Sequence, residues 1–133
     1  MRKLVLSLLI FMFVLPVQAI NDLKEKPVQH LKVADLSSME AAKNVFINST
    51  AKIKSKNKLN VLELEQIHII TYSLEKSVAY FVKNLRGERQ SLAKEIAITV
   101  EDIHINAENN RPKITKEHID KYFNLADKFI ADF

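Results

Sequence analysis

The chain has 133 residues, no cysteine, one glycine, three prolines and a formal net charge of +4 at neutral pH. The missing cysteines exclude disulfides, thiol catalysis, thiolate metal sites and haem attachment through a C-x-x-C-H motif, and so little glycine leaves no phosphate-cradling loop and scant turn material for a β-protein. Lysines and glutamates are interleaved, so the small positive excess reads as a solvated surface and not as a nucleic-acid footprint.

The start, Met1-Arg2-Lys3, is basic, and an apolar run follows from Leu4 to Val17. Val17 and Ala19 then place small residues before a break, which completes the pattern of a secretory signal peptide cleaved after Ala19. The run falls short of the roughly 20 residues that cross a bilayer, so no stable membrane anchor is expected. No cysteine follows the break to carry a lipid. The expected product, residues 20–133, is a single domain in the periplasm or outside a bacterial cell. Residues 20–36 hold no period and read as an irregular arm containing Pro27 and His30, with its placement left open.

From Ser37 onward the chain is periodic. The first predicted helix, about 38–55, opens on a Ser37-x-x-Glu40 capping box and carries the seam Met39, Ala42, Phe46, Ser49 and Ile53. The second, about 61–86, is the longest: Leu64, Ile67, Thr71, Leu74, Val78, Phe81 and Leu85 recur at alternating spacings of three and four. Asn60 is its expected cap, and Gly87 is suited to the left-handed turn that closes it. A third helix, about 89–108, shows Ala93, Ile96, Val100, Ile103 and Ala107, and Asn109-Asn110-Arg111-Pro112 breaks it. A fourth, about 116–132, is expected to be capped by Thr115 and carries Ile119, Tyr122, Ala126, Phe129 and Phe133. Four amphipathic helices on short loops predict an all-α, up-down-up-down antiparallel four-helix bundle.

An antiparallel turn centred on Arg86 sets His68 level with His104, on facing edges of the second and third helices. Imidazoles facing each other across a bundle can bind zinc, copper or nickel, or ligate haem from both sides. Glu65 and Tyr72 flank His68, and Glu101 and Glu108 flank His104, so oxygen donors are at hand. The bland alternative is two half-buried structural histidines bonded to nearby carboxylates. His118 falls on the other edge, beside Asn106 between the third and fourth helices. A Met–His haem arrangement fails, because Met39 and His118 belong to opposite ends of the bundle. Glu65–His68 and Glu101–His104 repeat the E-x-x-H spacing of di-iron bundles, yet the first and fourth helices offer no inward glutamate to complete that set. Ile69, Ile98 and Ile105 fall on outward positions and predict an apolar face for a protein partner or a homodimer.

The run Glu65-Gln66-Ile67-His68-Ile69-Ile70-Thr71-Tyr72-Ser73-Leu74-Glu75, followed by Val100-Glu101-Asp102-Ile103-His104, resembles a family of small exported bacterial proteins of unknown function. Its members share a signal peptide, an E-x-x-H-x-x-T-Y-x-L-E segment and a later E-x-H or E-x-x-H before a C-terminal helix. The resemblance covers Leu59 to Phe133, puts His68, Thr71, Tyr72, Glu75 and His104 at the motif positions, and implies no activity. With no nucleophile elbow, no H-E-x-x-H and no paired catalytic acids, the sequence predicts no enzyme. It predicts a non-enzymatic binding or interaction module, the alternative being a metal- or haem-binding protein built on His68 and His104.

Overall fold

A computed structural model describes residues 25–133. The expected signal peptide, residues 1–19, and the first part of the arm, 20–24, lie outside the described residues. Four helices follow in order, α1 (Met39–Lys54), α2 (Val61–Asn84), α3 (Gly87–Glu108) and α4 (Pro112–Ile130), and no strand occurs among the described residues. The protein is an all-α four-helix bundle. Among the described residues no helix is long and apolar enough to cross a membrane.

The seams converge as their period requires. Leu64, Ile67, Thr71, Leu74, Val78 and Phe81 of α2 are all buried, against Ala42, Phe46 and Ile53 of α1, Ala93, Ile96, Val100 and Ile103 of α3, and Ile119, Tyr122, Ala126 and Phe129 of α4. Leu125 joins them from outside the predicted seam. Between α1 and α4 the core is aromatic: the Phe46 ring lies 5.7 Å from Phe81, 5.5 Å from Phe129 and 6.1 Å from Tyr122, all in edge-on geometry. Such contacts add to the area term of burial. The Tyr122 hydroxyl is satisfied by Thr50 Oγ1 at 2.6 Å, and burial pushes its pKa far up.

Helix ends depart from expectation in instructive ways. Ser38, not Ser37, caps α1 by accepting from the Ala41 amide at 3.1 Å. Asn60 caps α2 by accepting from the Glu63 amide, while the Glu63 carboxylate reaches past the cap to the Lys58 and Leu59 amides, both at 2.8 Å. Those two bonds hold Leu59 at φ 47°, a left-handed conformation that side chains with a Cβ seldom adopt. Gly87 is left-handed too, at φ 60°, but it opens α3 and does not close α2. The extended pair Leu85–Arg86 lies between the helices, so the glycine turns the chain into the next helix. Helix α4 starts three residues before the expected cap, because Pro112 at the first turn lacks only an N–H that would have no partner there. Thr115 is therefore inside the helix, buried and bonded to the Arg111 carbonyl at 2.8 Å.

The segment before α1 lies along the α2–α3 groove. Glu25 grips Arg111 through two bonds of 2.8 and 3.1 Å, and Asp35 pairs with Lys76 at 2.6 Å. Between these two clamps the chain passes over the histidine pair.

Candidate metal centre

Helices α2 and α3 bring His68 and His104 together: their ring centroids are 4.7 Å apart. Side chains on an α-helix tilt toward its N-terminus. In an antiparallel pair, groups one or two turns apart therefore lean toward each other across the groove. Glu75 leans back along α2 and His104 back along α3, and they meet as a 2.6 Å contact between Glu75 Oε1 and His104 Nδ1. His68 and Glu108 converge by the same tilt. Glu65 and Glu101, which precede their histidines, lean away. Glu65 is exposed at the rim of the shallow pocket beside His68, and Glu101 lies in a separate groove with Pro27 and Ala97. The repeated E-x-x-H spacing thus assembles no carboxylate on either histidine. The supporting groups are Tyr72 and Glu108, each four residues later.

His104 is fully buried. A carboxylate can only accept from it, so Nδ1 carries a proton and Nε2 is the nitrogen left for another partner. That Nε2 is buried and has no hydrogen-bond partner among the described residues. His68, half-buried, meets the Tyr72 hydroxyl at 3.1 Å. Burial, then the neighbouring His104, lowers the His68 pKa, with Glu108 and Glu75 opposing, so it favours the neutral form in which an imidazole binds metal. Burial pushes the Glu108 carboxyl upward, but the His30 hydrogen bond, the Val28 amide and the two facing histidines outweigh it and hold it below the usual range. His68 and Glu108 are thus each shifted toward the form that binds a cation, a neutral imidazole and an ionised carboxylate.

One donor atom from each of His68, His104 and Glu108 lies within 4.8 Å of the others. Tetrahedral zinc with bonds of about 2.0–2.1 Å sets its ligand atoms about 3.3 Å apart, so modest side-chain rotation closes the set. Two histidines and a glutamate, with a second carboxylate fixing one imidazole through its other nitrogen, match a donor set that divalent transition metals take. Haem does not fit: the two rings are in contact across the groove, and a porphyrin between them would have to part α2 from α3. Its expectation is withdrawn on that geometry.

His30, whose place the sequence left open, folds onto this cluster. Its Nε2 is 2.8 Å from Glu108 Oε1, and its ring stands edge-on to His68 at 6.1 Å. Glu75 was legible only as a motif position. No periodicity signals His30, because its arm has none. His118 faces Asp102 at 3.6 Å, one turn before Asn106 and in the expected α3–α4 groove.

The outward isoleucine face is corrected in one member. Ile69 and Ile98 are each 51% exposed, but Ile105 is only 6% exposed. A position that an isolated helix pair would leave wet is therefore buried in the fold.

No curated protein and no solved structure matches this chain. A family model described as a family of unknown function, DUF6746, matches residues 1–131, and the chain belongs to that family.

Proposed function

We propose that this is an exported metal-binding module that holds one divalent transition-metal ion, zinc or copper, between α2 and α3. His68, His104 and Glu108 are its ligands, and Glu75 orients His104. The observation that carries the reading is the bare Nε2 of His104: a buried polar atom without a partner costs about 1–3 kcal/mol, and a metal ion removes that cost. Export rests on the signal-like residues 1–19. Binding is favoured over catalysis because the sequence carries no nucleophile elbow, no H-E-x-x-H and no paired catalytic acids.

The test is the metal content of protein purified from its own cells, with zinc and copper titrations of the metal-stripped form beside a His68→Ala/His104→Ala double variant. One equivalent bound by the natural chain and lost in the variant supports the module. A natural chain that ignores both ions leaves two structural histidines and ends the proposal.

A second reading has one observation behind it. Ile69 lines a groove with Val45 and Ile70 between α1 and α2 and is half exposed, which suits a protein partner or a second copy of the chain. A sedimentation mass that stays monomeric at every concentration, and in Ile69→Lys alike, removes the homodimer.

A further inference from the structure

The polar contacts of the arm around Val28–His30 fall on the site's own oxygen groups. The His30 amide donates to the Tyr72 hydroxyl at 3.0 Å, and that hydroxyl donates to the Val28 carbonyl at 3.1 Å. The Gln29 amide group donates to Glu75 Oε2 at 3.3 Å, on the carboxylate that holds His104. The Val28 amide and the His30 ring both reach Glu108. A loose segment with no periodicity would scatter its bonds over the surface. This one places them on Tyr72, Glu75 and Glu108, the residues bonded to or grouped with the two bundle histidines.

We infer that this arm completes the metal centre: His30 is the fourth ligand, and metal binding straps the arm to the bundle. The inference rests on the metal-binding reading and deepens it. His68, His104 and Glu108 supply three donors, whereas a closed tetrahedral site takes four. His30 is the one further imidazole in reach, already bonded to Glu108 at 2.8 Å, and its side chain is 60% exposed, so it is free to swing inward. An ion held by the bundle and by His30 together binds more tightly when the arm is docked than when it is not, so it stabilises docking by mass action.

The experiment uses Co²⁺, whose visible absorption reports coordination number, on the natural chain and on His30→Gln. It is paired with trypsin cleavage after Lys32, an exposed bond in the same arm. The expected result is intense four-coordinate absorption in the natural chain and slower cleavage at Lys32 when Co²⁺ is present. His30→Gln, with unchanged helical circular dichroism, should bind about 10-fold or more weakly, lose absorption intensity as more than one water enters the opened site and raises the coordination number, and show no Co²⁺ protection at Lys32. If His30→Gln matches the natural chain in spectrum and protection, His30 is not a ligand and this inference is overturned while the three-residue site stands. If the natural chain binds no Co²⁺ at all, the metal-binding reading itself fails and the strap fails with it.

Discussion

His104 commits one ring nitrogen to Glu75 and leaves the other bare in a dry groove, and the two nitrogens make separable predictions. Glu75→Ala strips the partner from Nδ1 and leaves both nitrogens buried without one. The metal-free protein should then lose about 1–3 kcal/mol of stability in urea unfolding. Glu75→Gln keeps a hydrogen-bonding group but no charge to raise the basicity of the ring, so metal affinity should fall about 10–100-fold with a much smaller loss of stability. Equal effects of both substitutions on both measurements would make Glu75 a packing residue only. His68 adds a pH dependence. Its folded pKa lies below the ordinary 6.5, with burial as the first cause, so the unfolded chain binds the proton more readily than the folded one. Stability contributed by neutral His68 is therefore full above about 6.5 and is lost as pH falls through the lowered folded value. NMR titration of the metal-free protein should find this ring still neutral where a free histidine is half protonated, and melting temperature should fall over the same interval. His68→Gln should flatten that part of the profile.

At the scale of elements, the connections are where backbone chemistry decides. Gly87 sits at φ 60° with nothing within 4 Å of where a Cβ would stand. Substitution there meets no clash, only the left-handed penalty of about 1–2 kcal/mol. Gly87→Ala should cost that much, read as a drop of about 4–8 °C in melting temperature per kcal/mol, and Gly87→Asn should cost less. A Gly87→Ala protein as stable as the natural chain would mean that the turn relaxes into another conformation. The helices themselves were legible, because each seam repeats over several turns and a wrong phase would bury lysines. Their ends were less so. Ser37 and Ser38 are both competent caps one residue apart, and Pro112 and Thr115 both mark a helix start. Spacing alone does not rank them. The histidine pair was legible from register, and Glu108 was among the flanking oxygen donors, but choosing it over Glu65 and Glu101, like finding Glu75, needed the direction in which helical side chains tilt. The place of His30 depends on how a segment without period crosses the bundle, which no pattern in that segment encodes.

Over the whole molecule the two kinds of contact separate. Phe46, Phe81, Phe129 and Phe133 stack as one aromatic cluster, while the arm and its polar contacts gather at Tyr72, His68, His104 and Glu108. Among the described residues no aromatic stacking or hydrogen bond joins a ring of the cluster to a group of the site. Phe46→Ala removes the ring that four others surround and should cost about 3–5 kcal/mol, a large part of the roughly 5–15 kcal/mol that holds a domain folded. His30→Gln removes one partly exposed contact to Glu108 and should cost less than about 1 kcal/mol without metal. Because no stacking or hydrogen bond couples the two regions directly, the double variant should equal the sum of the singles within about 0.5 kcal/mol. Saturating metal should raise the stability of Phe46→Ala by the same amount as that of the natural chain, since the ion rewards only the polar region. A coupling above about 1 kcal/mol between the two substitutions, or a metal response that shrinks in Phe46→Ala, would show that the aromatic packing sets the spacing of α2 and α3 at the histidines. The core would then be part of the binding site and not merely its support.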